Sequence, residues 1–448
     1  IETVGDLVYA VFDSNARHGA LRCKSSDSGK ARHLGGSPVI VKDLRGADKR
    51  LSPPAMEDAQ AADPVADYAE PAPFEAMAAG QRLVFYPAGA DRRRALFELV
   101  ENARDTLDVC FYIFAEDTVG AEFRDALAAA AKRGVRVTLI IDQFGAAVSD
   151  QFLSPLTDAG GICLRFSAKW TRRYLIRNHQ KLVIADGTRA MFGGFNIADD
   201  YFAPPERNGW ADLGIVIEGT AIAGLTDWYA RLRQWTEREE QHAREIARTV
   251  RDWQWDRPGV TWLVGGPTRG LSSWARCVSD DLIEGERLDM FMAYFSPPKR
   301  LLRRMGAIAA KGATRLVMAG KSDNGATIGA SRSLYSYLLK KRARIWEFAP
   351  CKLHTKLIVL DDTVYLGSAN FDMRSLYINL ELMLKIEDAA LADRMREFVG
   401  QQIGASQPIT AALHQRRATL ANRIRWNLSW LLVSVIDYTV TRRLNLGI

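Results

Sequence analysis

A chain of 448 residues, 48% hydrophobic and 25% charged, is too long for one small domain and too apolar for global disorder. No run reaches the roughly 18 uncharged apolar residues of a membrane-spanning helix. With a mean hydropathy of −0.14, that excludes an integral multi-span protein. The net charge of +7 suits an anionic partner, nucleic acid or an acidic membrane surface, without choosing between them.

Taken in chain order, residues 1–80 form an N-terminal extension. Its second part, 51–80, is rich in Ala, Pro and acidic residues and reads as a linker, so regular structure is expected from about Gln81. The chain then repeats itself. TLDVCFYIF (106–114), a helical segment and TLIID (138–142) are echoed by RLDMFMAYF (287–295), a helical segment and LVMAG (316–320). Each is an apolar strand, an amphipathic helix and another apolar strand. The Leu107–Asp108 and Leu288–Asp289 pairs lie 181 residues apart, a period that implies two similar α/β domains rather than a solenoid. We expect them at 81–255 and 256–405, divided where RDWQWDRPGV interrupts a long polar helix. The remainder, 406–448, is a basic amphipathic tail in which six arginines face one acid, Asp437. Trp426 and Trp430 share a helical face there, as in an interfacial anchor, the alternative being a C-terminal helix docked on the core. The five cysteines show no CxxC spacing, which argues against zinc or a disulfide framework and favours a reducing compartment.

Of six histidines, two open the same pattern: His179-Gln-Lys181-LVIA-Asp186 and His354-Thr-Lys356-LIVL-Asp361. Lysine is scarce, 15 against 45 Arg, so a coincidental pair has odds on the order of one in ten thousand. On a strand, His and Lys two residues apart point to one face, and the apolar runs bury the strand behind them. Downstream, GGFN and GSAN supply close-approaching backbone and the amides of Asn196 and Asn370. Two His, two Lys and two Asn, with no carboxylate cluster for a divalent metal, suit a phosphodiester.

These motifs resemble the phospholipase D superfamily. Residues 81–405 are more narrowly similar to bacterial cardiolipin synthases, of the branch without N-terminal transmembrane helices. The resemblance rests on NHQKLVIADGTRAMFGGFNIADDYF (178–202), WADLGIVIEG (210–219), GKSDNGATIGASRSLYSYLL (320–339) and KLHTKLIVLDDTVYLGSANFDMRSLYINLELMLKI (352–386). It implies two α/β/α sandwich domains related by a pseudo-two-fold, with the active site at their interface. The HxKxxxxD residues His179, Lys181, Asp186, His354, Lys356 and Asp361 are then the catalytic motif set. Within it His179 is the nucleophile that becomes a phosphohistidine and His354 the general acid/base. Lys181, Lys356, Asn196 and Asn370 hold the phosphate oxygens. Asp212 and Glu381 stand behind the histidines, Ser368 assists by a hydroxyl hydrogen bond, and Asp186 and Asp361 make backbone or turn contacts. No cofactor and no metal are implied.

The implied activity is phosphatidyl transfer to the glycerol head of phosphatidylglycerol. The same residues would serve a phospholipase D hydrolase, a phosphatidylserine synthase or a nuclease. The basic tail, which suits an anionic membrane surface, favours lipid over nucleic acid, and so do the proline-bearing loops at 201–210 and 293–300. A peripheral place on the cytoplasmic side of the bacterial inner membrane follows.

Overall fold

The computed structural model describes residues 68–167, 176–268 and 270–436. The extension over 1–67 and the tail beyond 436, with Asp437, lie outside the described residues.

The first half runs β1 (Phe74–Ala78), β2 (Gln81–Tyr86), α1 (Gly89–Glu101), β3 (Thr106–Phe111), α2 (Thr118–Lys132), β4 (Arg136–Asp142), α3 (Asp150–Asp158) and β5 (Ile162–Phe166). It continues with β6 (Leu182–Ala185), β7 (Arg189–Gly193), β8 (Trp210–Ala211), β9 (Gly214–Glu218), α4 (Ile222–Thr236) and α5 (Ala243–Asp252). The second half runs β10 (Trp255–Arg257), β11 (Val260–Gly265), α6 (Ser273–Glu284), β12 (Leu288–Met292), β13 (Phe295–Ser296), α7 (Lys299–Ala310), β14 (Thr314–Ala319), α8 (Gly325–Lys340) and β15 (Arg344–Phe348). After these come β16 (Lys352–Leu353), β17 (Lys356–Leu360), β18 (Thr363–Gly367), β19 (Phe371–Asp372), α9 (Met373–Tyr377), β20 (Glu381–Glu387), α10 (Ala389–Gly404), β21 (Ser406–Pro408), α11 (Ala411–Arg417) and α12 (Leu420–Trp430).

The two large sheets have the same order, β1-β2-β9-β7-β6-β3-β4-β5 and β10-β11-β20-β18-β17-β12-β14-β15, with β21 added at the edge of the second. The duplication read from sequence is therefore a duplication of topology, strand for strand. Each sheet is apolar on both faces, which explains the unbroken runs LVIA and LIVL. Leu182 and Ile184 face a core shared by both sheets, while Val183 and Ala185 face the helices of the first half. Leu357 and Val359 join that shared core, and Ile358 and Leu360 face the helices of the second half. The halves exchange backbone contacts reciprocally: Asn178 bridges Leu380, and β8 pairs in parallel with β16 (Trp210 with Lys352, Ala211 with Leu353). The segment before each motif histidine thus lies against the segment before a carboxylate of the other half, the signature of an approximate two-fold.

Four boundaries move. Regular structure begins before Gln81, because β1 pairs with β2 and Phe74 stacks on Phe85 at 4.8 Å and meets Phe398. The alternation of Phe74, Ala76 and Ala78 is a strand pattern hidden in an Ala-rich stretch. The division between halves lies just before β10, so a cut at 255/256 would split that strand. The polar helix there is two helices, since the chain already breaks between α4 and α5. The second half extends past 405, because β21 pairs with β15.

The tail differs most from expectation. α12 docks along α8, with Trp426 4% exposed and stacked on the His414 ring at 5.4 Å. The Trp430 indole N–H is buried as well. The aromatic face of the tail is thus turned inward, with Trp426 buried and Trp430 half-buried, so Trp426 is not available to a lipid headgroup. Among the described residues no helix is long and apolar enough to cross a membrane.

Candidate active site

Each motif lies at the end of a central strand. His179 follows the bridge at Asn178, and Lys181 immediately precedes β6. His354 follows β16, and Lys356 opens β17. The histidines therefore sit just outside the strands on which the motifs predict them. Their backbones are fixed from the opposite half: His179 N–H donates to Leu380 O at 2.9 Å, and His354 N–H to Ala211 O at 2.8 Å. Each lysine folds back on its own motif. Lys181 Nζ is 2.5 Å from His179 O, and Lys356 Nζ donates to His354 O.

The carboxylates reach the histidines crosswise. His354 Nδ1 lies 2.6 Å from Asp212 Oδ2, a first-half residue. His179 Nδ1 lies 3.0 and 3.1 Å from the two oxygens of Glu381, a second-half residue. A carboxylate at Nδ1 accepts a hydrogen bond from the Nδ1–H, fixing the tautomer that leaves Nε2 as the free ring nitrogen. Ser368 Oγ donates to Glu381 and accepts from Leu382 N–H at 3.1 Å. A Cβ at Gly194, its counterpart, would lie 2.5 Å from Asp212 Oδ1, so the first copy has no room for a hydroxyl.

The buried charges strongly perturb one another. Burial, then Lys181 and Lys356, hold His179 well below the usual imidazole range. Burial and Lys356 push His354 down to about 3, although Asp212 acts the other way. Burial drives Lys181 down to about 7 despite Glu381, with Lys356 adding to the drop. Lys356 falls to about 8 for the same first reason, against Asp212 and Glu381. The two carboxylates part company. Burial raises Glu381 to about 7 in spite of Lys181. The same burial opposes the charge of Asp212, yet Lys356 and His354 outweigh it and hold Asp212 below its ordinary range. The crosswise His–carboxylate contacts and the two inter-half bridges bring both motifs to one site.

Asn196 Oδ1 accepts from Ile113 N–H at 3.1 Å, which leaves its buried Nδ2 without a partner among the described residues. For Asn370 the unpartnered buried atom is Oδ1. Asp186 and Asp361, grouped by sequence with the catalytic motif, are not in this cluster. Each adopts a left-handed backbone (φ 53° and 48°) at the far end of its strand. Asp186 accepts the N–H groups of Arg104, Asp105 and Thr106, and Asp361 those of Glu286 and Arg287. They pin the β6–β7 and β17–β18 turns to neighbouring loops. Among the described residues no three His, Cys, Asp or Glu converge as a metal site.

Several residues of the site have no counterpart in the sequence reading. Asp142, at the end of β4, accepts Asn178 N–H at 2.7 Å and so positions the His179 segment. Arg92 is fully buried and donates to the carbonyls of Pro87, Asp212 and Tyr201, tying down the segment between β8 and β9 that carries Asp212. Its signal was its place on the apolar face of α1, four residues before Leu96. Tyr112 packs beside His179 (4.9 Å between ring centroids), and Tyr201 and Trp210 flank His354 (5.1 and 5.2 Å).

Comparison with known proteins fits this geometry. The family described as "Cardiolipin synthase, PLD-like domain" matches residues 96–232 and 282–402, one block in each half. Cardiolipin synthase A of Pseudomonas entomophila is 27% identical over 329 residues, covering 71% of this chain and 67% of that protein. The major cardiolipin synthase of Bacillus subtilis is 28% identical over 362 residues, covering 78% and 74%. Among solved structures, phosphatidylserine synthase of Haemophilus influenzae shares the fold, with TM-score 0.64 at 14% identity, covering 81% of this chain and 97% of that one.

Proposed function

The chain belongs to the cardiolipin synthase, phospholipase D-like family, and from that premise we propose that it is a phosphatidyltransferase that builds cardiolipin from phosphatidylglycerol through a phosphohistidine. The observation that carries the reading is the unequal pair of crosswise His–carboxylate contacts. His179, backed by a Glu381 raised to about 7, is suited to remain a neutral nucleophile with Nε2 free. His354, backed by an Asp212 held ionised, is suited to carry the proton.

Nε2 of His179 attacks phosphorus, the bond from phosphorus to the glycerol oxygen breaks, and that oxygen takes a proton from His354. In the second step the hydroxyl of a second phosphatidylglycerol gives its proton to His354 and attacks phosphorus, and the P–N bond breaks. In the free site both imidazoles are held below their usual range, so arrival of the phosphate's negative charge is what favours protonation of His354. Lys181, Lys356, Asn196 and Asn370 would steady the non-bridging oxygens as charge builds, each donor worth ~3–4 kcal/mol in the transition state. No cofactor enters these steps, and the partners are phospholipids rather than nucleic acid. We place the protein peripherally on the cytoplasmic side of a bacterial inner membrane.

Mass spectrometry after incubation with phosphatidylglycerol vesicles tests the reading. Cardiolipin and glycerol in equal amounts are expected. Phosphatidic acid with glycerol would make the protein a hydrolase, and cleavage of DNA with no lipid product would overturn the lipid assignment.

A further inference from the structure

The inward docking of Trp426 leaves the opposite side of α12 bare. Leu420, Ile424, Leu428 and Leu431 are 77%, 61%, 51% and 40% exposed. Their spacing of four, four and three places them in one stripe along the helix. Scattered exposed aliphatics are ordinary, but an aligned row of four is an unpartnered apolar face. Arg423 and Arg425 flank it on the same helix, exposed like Arg416 of α11, and no carboxylate pairs with these three among the described residues. From 411 to 436 the chain contains no Asp or Glu at all. An apolar row bordered by uncompensated arginines complements an anionic lipid surface, aliphatic chains below and phosphates at the rim.

The helix is also held in a defined direction. Stacked on Trp426, His414 of α11 meets Ser336 in the C-terminal half of α8 at 2.9 Å. Near the end of α12, Ser429 lies against Gly329 in the N-terminal half of α8, where an added Cβ would come within 2.7 Å of Ser429 Oγ. α12 therefore runs antiparallel to α8, toward the α8 N-terminus. Just before that terminus, Asp323 accepts from Tyr294 OH at 3.3 Å, and the Tyr294 ring neighbours His354. The stripe thus leads from the periphery to the rim of the site.

We infer that the Leu420–Ile424–Leu428 face of α12, continued by Leu431 just past its end and accompanied by Arg416, Arg423 and Arg425, docks the enzyme on an anionic lipid surface and brings the His354 side of the site to the headgroups. This rests on the lipid substrates proposed above.

The test is flotation of the intact chain with phosphatidylcholine vesicles holding or lacking 30 mol% phosphatidylglycerol, alongside turnover of a soluble short-chain phosphatidylglycerol. The intact chain is expected to float with the anionic vesicles, and less so as salt rises. Ile424→Asp with Leu428→Asp should lower vesicle partition at least about tenfold while leaving melting temperature and soluble turnover unchanged, since both side chains already face water. Arg423→Gln with Arg425→Gln should lose mainly the preference for anionic vesicles. Unchanged flotation of the aspartate variant overturns the inference. So does an intact chain that floats with neither vesicle, as it would if residues 1–67 or a second copy covered the stripe, or a variant that only converts a dimer to a monomer in sedimentation. A chain that floats through this face yet makes no phosphatidyl-transfer product breaks the activity reading alone.

Discussion

Behind His354 stands Asp212, buried and 2.6 Å from Nδ1; behind His179 stands Glu381, at 3.0–3.1 Å and also bound by Ser368. The scaffolds beneath them match strand for strand, and each carboxylate is delivered by the same kind of inter-half bridge. The difference lies in one methylene and one hydroxyl. The shorter Asp leaves its oxygens where a side chain at Gly194 would sit, whereas the second copy has a serine whose hydroxyl holds the longer Glu. Both are buried, yet Lys356 and His354 hold Asp212 below its ordinary range, whereas burial raises Glu381 to about 7 in spite of Lys181 and the Ser368 hydroxyl. On the proposed assignment, a duplicated site divides nucleophile from acid without altering its fold, by setting the environment of each imidazole's partner.

The sharpest break in the comparison comes from removing each imidazole in turn. His179→Ala should abolish the covalent phosphoenzyme and lower turnover by at least about a thousandfold. His354→Ala should be comparably slow on phosphatidylglycerol but still accumulate phosphoenzyme from a substrate with a p-nitrophenolate leaving group, which departs without a proton. Quenched-flow trapping with labelled substrate separates the two. A phosphoryl group trapped on His354 would reverse the roles while leaving the site intact.

The carboxylates should then differ in the same direction. Asp212→Asn removes the ionised partner of the ring proposed to carry the proton, and a drop of about 10²–10⁴ in turnover is expected, recovered in large part with the p-nitrophenyl substrate. Glu381→Gln should cost less, since that group is already close to half protonated at neutral pH, and its loss should not depend on the leaving group. Equal losses for both variants on both substrates would mean that the carboxylates only orient their rings and that the asymmetry has no chemical consequence.

The repeat, the two motifs and the α/β class were legible in the sequence because phosphoryl chemistry and two-sided burial restrict residue types at fixed spacing. The crosswise pairing was not. WADLG and NLELM announce carboxylates, but which histidine each serves is decided by the bridges Ala211–Leu353 and Asn178–Leu380, contacts between residues more than 140 positions apart. Arg92 was hidden by its charge within an Arg-Arg-Arg run, although its position on the apolar face of α1 marked it. The tail misled for a complementary reason. α12 has an aromatic side and an aliphatic side, and only the contact at Gly329 of α8 reveals that the aromatic side is the docked one.

The smallest effect concerns the lysines, where the halves should act together rather than apart. Lys181 stands at about 7 and Lys356 at about 8 in the empty site, both lowered by burial from the usual lysine range. An anion bound between them favours the ammonium forms, so the complex holds both lysines protonated to higher pH than the free site does. Affinity is therefore full below about pH 7 and falls as pH rises through the two free-site values, by up to about tenfold per unit for each lysine that must take up a proton. Deprotonation of Glu381 near 7 adds negative charge and steepens the fall in the same direction. Sulfate, whose own charge is constant over this range, is the suitable probe. Calorimetry in buffers of differing ionisation enthalpy should show little proton uptake at pH 6 and uptake approaching one or more protons at pH 8.5. Lys181→Met should weaken binding at pH 6 and remove the lysine's share of the slope near 7, leaving that of Glu381 and the part near 8. Sulfate affinity that stays flat from pH 6 to 9 in the intact protein would show that the lysines remain charged throughout, and that the two half-sites are less dry than the burial of Lys181 and Lys356 implies.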